Sequence, residues 1–394
     1  MNYKLLLLLL LVAFISCADG DNASTKSADD IVIDQSVLDS AAVLVEDSSD
    51  YGFEKLPDAL MLVYNDSLLI ANRRHPRYDE SLISVYDMTK RLHHLADYIP
   101  FGSEADEMMA CGITITGNEL FVCDSWLTGR YCSIQLDKPL IPSKNLHLYD
   151  SGVEERGAAI IPFRQGLLVE NPQCYDDDEA GIHNEVPRLL YYEGGKCLTQ
   201  QEPVEYQVAD INTGADIHYN AKKHRACFVS HLQPFVELYN DSLKQIHRIS
   251  VTTKDDQHKI SVGAAQKVMH QKRDQETSRI SAKFNETKRV VGSSNQFHSF
   301  LCSATDEEHI YLVYCGKMFG FEYHTFPSYI IVLDWDGQYI DSYRYNRWVH
   351  YISPSSQPGS FYLTVYADDD SQNASMKLVK VEPERIPTAD GNMK

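Results

Sequence analysis

Asp58-Ala59-Leu60-Met61-Leu62-Val63-Tyr64-Asn65-Asp66-Ser67-Leu68-Leu69-Ile70-Ala71 is the stretch on which the fold turns. Two short apolar runs flank Asn-Asp, and both turn residues tolerate positive φ, so the segment reads as a β-hairpin. Each run is too short to be a free-standing helix and shows no 3.6-residue period. The same cadence continues at 81–86, 91–95, 112–116, 119–124, 131–136, 145–149, 157–163, 166–171 and 187–192. It resumes at 216–221, 224–231, 234–239, 243–250, 297–304, 309–315, 328–334, 338–345, 347–352, 360–366 and 375–381. Apolar residues run continuously or alternate with period two, with few helical stretches, so the chain is all-β.

The strands fall into blocks of three or four that end near a turn and restart. That rhythm favours radial repetition over a sandwich, and the six blocks predict a six-bladed β-propeller. Tyr64-Asn65-Asp66-Ser67-Leu68 recurs as Tyr239-Asn240-Asp241-Ser242-Leu243, in keeping with repetition. Six blades leave roughly 57 residues each against ~40–50 for known blade repeats, so seven blades is the alternative. The excess is concentrated at 172–186 and 252–296, the latter a polar, charged stretch read as an insertion. A ring must also close. Ile31-Val32-Ile33-Asp34 or Ala41-Ala42-Val43-Leu44-Val45 is expected to supply the strand that completes the last blade.

Composition narrows the function. The 36 Lys and Arg against 56 Asp and Glu give a net charge of −20, which argues against nucleic acid as a partner. Hydrophobic residues make up 43% of the 394-residue chain, enough for a large core. There are nine cysteines but no C-x-x-C pair and no Cys/His cluster at zinc spacing. An oxidising compartment would permit one or two disulfides, yet most cysteines sit in strand-like apolar runs, where buried thiols are the favoured reading.

The amino terminus sets the expected compartment. Lys4 precedes an unbroken apolar run from Leu5 to Ile15, the form of a secretory leader too short to span a bilayer. The run ends at Phe14-Ile15-Ser16-Cys17, which resembles the lipobox of bacterial lipoproteins. That resemblance implies cleavage before Cys17 and its modification with acyl chains such as palmitate, anchoring the protein to a membrane; a Phe stands where the lipobox usually has Leu. The expected layout is a signal peptide at 1–16, lipidated Cys17 and an acidic tether to residue 30, one propeller domain at 31–385, and a disordered tail at 386–394. Acidic residues just behind Cys17 resemble signals that export lipoproteins across the outer membrane.

Several segments together carry a family resemblance. They are Leu82-Ile83-Ser84-Val85-Tyr86-Asp87-Met88 with Phe101-Gly102-Ser103-Glu104, His309-Ile310-Tyr311-Leu312-Val313-Tyr314-Cys315-Gly316, and Tyr329-Ile330-Ile331-Val332-Leu333-Asp334-Trp335-Asp336-Gly337-Gln338-Tyr339-Ile340. In these the chain resembles the TolB-like six-bladed propeller lipoproteins of Gram-negative bacteria, although its glycine block is thinner than theirs. The resemblance implies a propeller in the cell envelope and implies no activity.

Candidate sites are weighed on chemistry. Asp176, Asp178 and Glu179 form an acidic loop that could offer oxygens to Ca²⁺, although the spacing is not that of an EF-hand and a solvated loop accounts for it as well. Among the fifteen histidines, His218, His224 and His231 fall on neighbouring strand candidates, and His93 and His94 are adjacent. Histidines of this kind would serve a metal-assisted hydrolase or lyase with a central-channel site, the enzymatic alternative. No G-x-S-x-G or H-E-x-x-H motif occurs. Trp126, Tyr175, Phe319, Phe321, Tyr323 and Phe326 lie in loop-like segments and are the candidate ligand rim, since flat rings bury large area at low entropic cost. The leading expectation is a monomeric, lipid-anchored binding or scaffold module for a protein, peptide or glycan.

Overall fold

A computed structural model describes residues 29–44, 59–73, 80–104, 106–108, 112–124, 129–140, 146, 148–153, 159–171, 188–200, 215–231, 234–251, 297–318, 327–366 and 376–382. The described chain begins with β1 (Asp29–Ile33), the one-turn helix α1 (Gln35–Asp39) and β2 (Ala42–Val43). Asp34 caps α1 by accepting a 2.8 Å hydrogen bond from the Ser36 amide.

Six sheets follow in chain order. Blade 1 holds β3 (Ala59–Tyr64), β4 (Leu68–Arg73), β5 (Ser81–Asp87) and β6 (His93–Pro100). Blade 2 holds β7 (Gly112–Thr116), β8 (Glu119–Asp124), β9 (Arg130–Gln135) and β10 (Tyr149–Asp150). Blade 3 holds β11 (Ile160–Phe163), β12 (Gly166–Glu170), β13 (Leu189–Glu193) and β14 (Lys196–Gln200). Blade 4 holds β15 (Ala215–Asn220), β16 (Arg225–Ser230), β17 (Phe235–Asn240) and β18 (Gln245–Val251). Blade 5 holds β19 (Phe297–Thr305), β20 (His309–Met318), β21 (Ser328–Asp334) and β22 (Tyr339–Tyr345). Blade 6 holds β23 (Val349–Pro354), β24 (Phe361–Tyr366) and β25 (Met376–Val381). The first strand of each blade neighbours the first strand of the next, and β23 neighbours β3, so these six strands line the axis of a closed six-bladed propeller.

The continuous apolar runs now have a physical cause. The buried residues divide into six clusters, one in each seam between blades. A central strand is therefore buried on both faces. In β20, Ile310, Leu312 and Tyr314 enter the seam with blade 4, while Tyr311 and Val313 enter the seam with blade 6. Alternation by two directs side chains to opposite seams, and both seams are dry. Four cysteines, Cys123, Cys132, Cys227 and Cys302, are buried free thiols. Burial pushes the Cys123 and Cys132 thiols up to about 12, so they are inert at neutral pH. Cys315 is buried as well, and Cys197 is exposed.

Ring closure differs from the expectation. Neither amino-terminal segment completes the last blade. β1 adds in parallel to the outer strand of blade 4, with Ile31 opposite Ile249, and β2 adds in parallel to β22 of blade 5, with Ala42 opposite Tyr343. The first strand also begins at Asp29, inside the segment expected to be tether. The physical reason lies in the side chains. Ile33 and Leu38 are 2% and 1% exposed in the core between blades 4 and 5, and Leu44 joins the core between blades 5 and 6. The segment is thus a strap across the perimeter.

Blades 6 and 1 meet through side chains. Met61, Val63, Leu69 and Ala71 pack on Tyr362, Met376 and Leu378. The Ser353 hydroxyl accepts from the Val63 amide at 2.9 Å. Asp66, in the β3–β4 turn, accepts from the Ser355 and Ser356 hydroxyls at 2.9 and 2.8 Å and from the Ser356 amide at 3.1 Å, with Lys380 Nζ 3.6 Å away. Asn65 and Asp66 have φ of 47° and 53°, the left-handed geometry the hairpin reading required. The repeated pentapeptide behaves differently. At the β17–β18 turn the positive φ falls on Leu243, at 57°, and the Asn240 side chain instead accepts from the Ser242 and Lys244 amides.

Candidate functional site

Across the six axial strands Asp216 is the one Asp, Glu, Lys or Arg. Alternation on β15 sends Ala215 and Ile217 into the core with blade 3, leaving Asp216 and His218 on the side of blade 5. There the carboxylate bridges two blades. Asp216 Oδ2 accepts from the Ser303 amide at 2.7 Å and from the Ser303 hydroxyl at 2.8 Å, and Oδ1 lies 3.1 Å from His231 Nε2. His218 Nε2 is 2.8 Å from Ser303 Oγ. The Asp216 side chain keeps 28% of its surface exposed and that of His231 25%, so the cluster borders solvent.

The proton positions follow from the partners. An ionised carboxylate only accepts, so the single Ser303 hydroxyl proton points to Asp216, and Ser303 Oγ receives a hydrogen bond from His218 Nε2–H. Burial alone would raise the Asp216 carboxyl, but His231, His218 and the Ser303 hydroxyl outweigh it and hold the group at about 2. Burial pushes His218 below the ordinary imidazole value against the opposing pull of Asp216.

This arrangement reverses the order of a nucleophilic triad. An activated serine gives its proton to an imidazole that a carboxylate orients. Here the serine proton faces a carboxylate far too acidic to remove it, and the imidazole donates to the serine. The two imidazoles also bond to different atoms, His218 to Ser303 Oγ and His231 to Asp216 Oδ1, so they do not face one shared point. Among the described residues no group of three or more His, Cys, Asp or Glu is arranged to hold a metal ion. The chemistry available is a charge-assisted clasp between blades with two titratable imidazoles.

Of the sequence candidates, His218 and His231 come together. His224 sits in the turn after β15, 2.7 Å from Asp241, and His94 lies 3.0 Å from Asp97 in blade 1. Trp126, Tyr175, Phe319, Phe321, Tyr323 and Phe326, together with Asp176, Asp178, Glu179 and Cys17, lie outside the described residues. Sequence reasoning did not single out Asp216 or Ser303. The available signal was Asp216 standing between Ala215 and Ile217 on a first strand of a block. Reasoning also missed Arg188 and Glu237, whose side chains are 2% and 0% exposed between blades 3 and 4. Arg188 Nε lies 3.2 Å from Glu237 Oε2, and Tyr239 donates to the same oxygen at 2.6 Å. The guanidinium stacks over Phe228 and Phe235 at 5.2 and 4.7 Å. That pair is sealed from solvent and acts in packing.

Fold and site define a six-bladed propeller with a polar clasp at its axis. No family model matches the chain, and no curated protein matches it. Among solved structures it is similar to a Bacteroides vulgatus member of the DUF4221 family, at TM-score 0.50 and 11% identity, covering 86% of this chain and 98% of that one. It is also similar to a Bacteroides fragilis protein assigned as exported, at TM-score 0.48 and 11% identity, covering 90% of this chain and 99% of that one. At such identity the likeness is one of fold.

Proposed function

We propose that the chain is a lipid-anchored propeller of the cell envelope that binds or scaffolds a protein, peptide or glycan, in the manner of the TolB-like proteins it resembles in sequence. The observation that carries this reading is the internal satisfaction of the axial cluster. Each hydrogen bond that Asp216 and Ser303 make there goes to a neighbouring blade or strand, so the centre serves the integrity of the ring. Recognition then falls to the loop rims, where Trp126, Tyr175, Phe319, Phe321, Tyr323 and Phe326 supply the aromatic surface. Attachment of β1 at the perimeter supports the same reading, because a tether leading into it would hang the ring by its side and keep both loop faces open. Calcium at Asp176, Asp178 and Glu179 would stiffen one such loop.

Two measurements test this. Cys17→Ala should move the protein from the membrane to the soluble fraction and abolish labelling by a palmitate analogue; retention in the membrane would refute the anchor. Glycan and peptide arrays probed with the purified chain should return a ligand whose binding falls at least about tenfold in Phe319→Ser/Phe321→Ser, as expected for central aromatic anchors. Unchanged binding in that variant would refute the rim.

A further inference from the structure

We infer that the ring hangs with its short-turn face toward the bilayer and its long-loop face toward the aqueous phase, so that a ligand reaches the loop face from the side away from the membrane. The inference rests on the lipid anchor proposed above and adds the orientation that the anchor imposes. A perimeter anchor leaves both faces uncovered, and the direction of β1 decides which of them looks at the bilayer.

Strand direction carries the argument. In each blade the chain runs outward from the axis through antiparallel strands, so its connections fall into two sets at opposite ends. In blade 4, β15 ends in the turn 221–224, β16 returns to the connection 231–234, β17 ends in the turn 241–244, and β18 returns to the same end as β16. β1 lies parallel to β18, with Asp29 opposite His247 and Ile33 opposite Val251. Asp29 therefore stands at the end that holds the turns 221–224 and 241–244, and β1 climbs from there. Gly337, in the β21–β22 turn of blade 5, agrees with this placement: a Cβ built on it would lie 3.5 Å from Ile31 Cδ1.

The two faces differ in build. At the end where Asp29 stands, connections such as 65–67, 117–118, 164–165, 194–195, 306–308 and 335–338 are tight turns. The opposite end carries 101–111, 171–188, 201–214, 252–296 and 319–327. The aromatic residues of the proposed rim belong to 125–129, 171–188 and 319–327, each joining the second strand of a blade to the third, so both ends of these connections lie on the loop face. Among the described residues, the exposed large apolar side chains sit on the perimeter strands β1, β2, β10, β14 and β22, and none is in a turn. The turn face instead carries paired charges such as Lys222 with Glu307 and Lys223 with Glu308, so it meets water and headgroups without entering hydrocarbon.

Length does the rest. Eleven residues, 18–28, separate Cys17 from Asp29, and full extension spans about 40 Å. β18 has 7 residues and stands about 23 Å tall. Turning the loop face to the bilayer would draw the tether up that height along blade 4, over more than half its reach, and would leave the long connections to fit beneath the ring. The opposite orientation asks for neither.

Energy transfer to a headgroup acceptor tests the orientation. The full lipidated chain is reconstituted in phosphatidylcholine vesicles with one fluorophore coupled through an azide. Lys90→azidophenylalanine and Glu307→azidophenylalanine label exposed positions on the turn face of blades 1 and 5; Ser103→azidophenylalanine and Asn346→azidophenylalanine label exposed positions on the loop face of the same blades. Within each blade, transfer at the turn position should exceed that at the loop position at least about twofold, for a height difference on the order of 20 Å. Equal or greater transfer at the loop end of either blade would overturn the orientation while leaving the anchor standing. Cys17→Ala should abolish transfer at all four positions; transfer that persists in it, or an unaltered chain that does not float with the vesicles, would overturn the anchor and the orientation with it.

Discussion

The seam between blades 4 and 5 and the seam between blades 6 and 1 solve one problem by different means. Both must hold two twisted sheets face to face. The first is braced at three radii: the strap outside, dry packing of residues such as Val236, Leu238, Ile310 and Leu312 in the middle, and the Asp216 cluster at the axis. The second joins the last blade to the first, with the Asp66 clasp and a methionine-rich contact in place of a shared strand. In each, one carboxylate accepts hydrogen bonds from the neighbouring blade, Asp216 from the amide and hydroxyl of Ser303 and Asp66 from Ser355 and Ser356. The difference lies in what else it touches. Asp216 faces two imidazoles, and burial holds one of them, His218, below its ordinary value. Asp66 faces serines and a lysine, which keep its carboxyl below the ordinary value.

The comparison can be broken most sharply at the strap. Leu38→Ala removes a side chain that is 1% exposed between blades 4 and 5 and should cost about 3 kcal/mol in urea unfolding. A loss under about 1 kcal/mol would mean the strap merely decorates the perimeter.

Acid titration is the next largest effect. The Asp216 carboxyl is lowered from 3.8 to about 2, so the folded state holds fewer protons there than the unfolded chain. Its contribution of about 2 kcal/mol is present above pH 4 and fades as pH falls toward 2. His218, also lowered, adds a contribution that is present above the ordinary imidazole value and lost as pH falls through its lower folded value. Calorimetry from pH 8 to 3 should therefore show a first decline below about 6.5 that is missing in His218→Gln.

Asp66→Ala should cost about 1–2 kcal/mol, combining lost charge-assisted hydrogen bonds with alanine held at positive φ. Thermal unfolding of this variant sharpens the account of closure: no change would leave the apolar contact alone responsible for the 6–1 seam. Lys222→Ala, at a pair whose side chains are 69% and 68% exposed, should shift stability by less than about 0.5 kcal/mol. A larger loss there would show that the turn ends also brace blades 4 and 5.

Much of the ring was legible in the sequence. Two-sided burial makes strands such as β8, β20 and β21 nearly unbroken apolar text, and the Asp334-Trp335-Asp336-Gly337 turn forms as read. Asp334 accepts from the Asp336 and Gln338 amides at 2.9 and 2.8 Å, and Gly337 has φ of 80°. The edge strand β14 went unread because it is polar and exposed along much of its length, so no burial writes a pattern into it. The amino-terminal strands were recognised as strands but given the wrong partner. Short apolar runs such as Ile31-Val32-Ile33 fit many sheet edges, and the choice rests on where Leu38 and Leu44 find their cores.

By itself, then, the sequence determined that this is an all-β, acidic chain of six repeating blocks, with hairpin turns at Asn65-Asp66 and around Gly337. These are local matters, governed by alternation, turn chemistry and charge. Which blades the strap binds, how the ring closes, and the meeting of Asp216, His231 and Ser303 were decided only by tertiary structure. Asp216 and Ser303 are 87 positions apart and come within hydrogen-bond reach only once blades 4 and 5 stand side by side. A carboxylate among apolar neighbours is a common sight in sequence; its partners are fixed by packing.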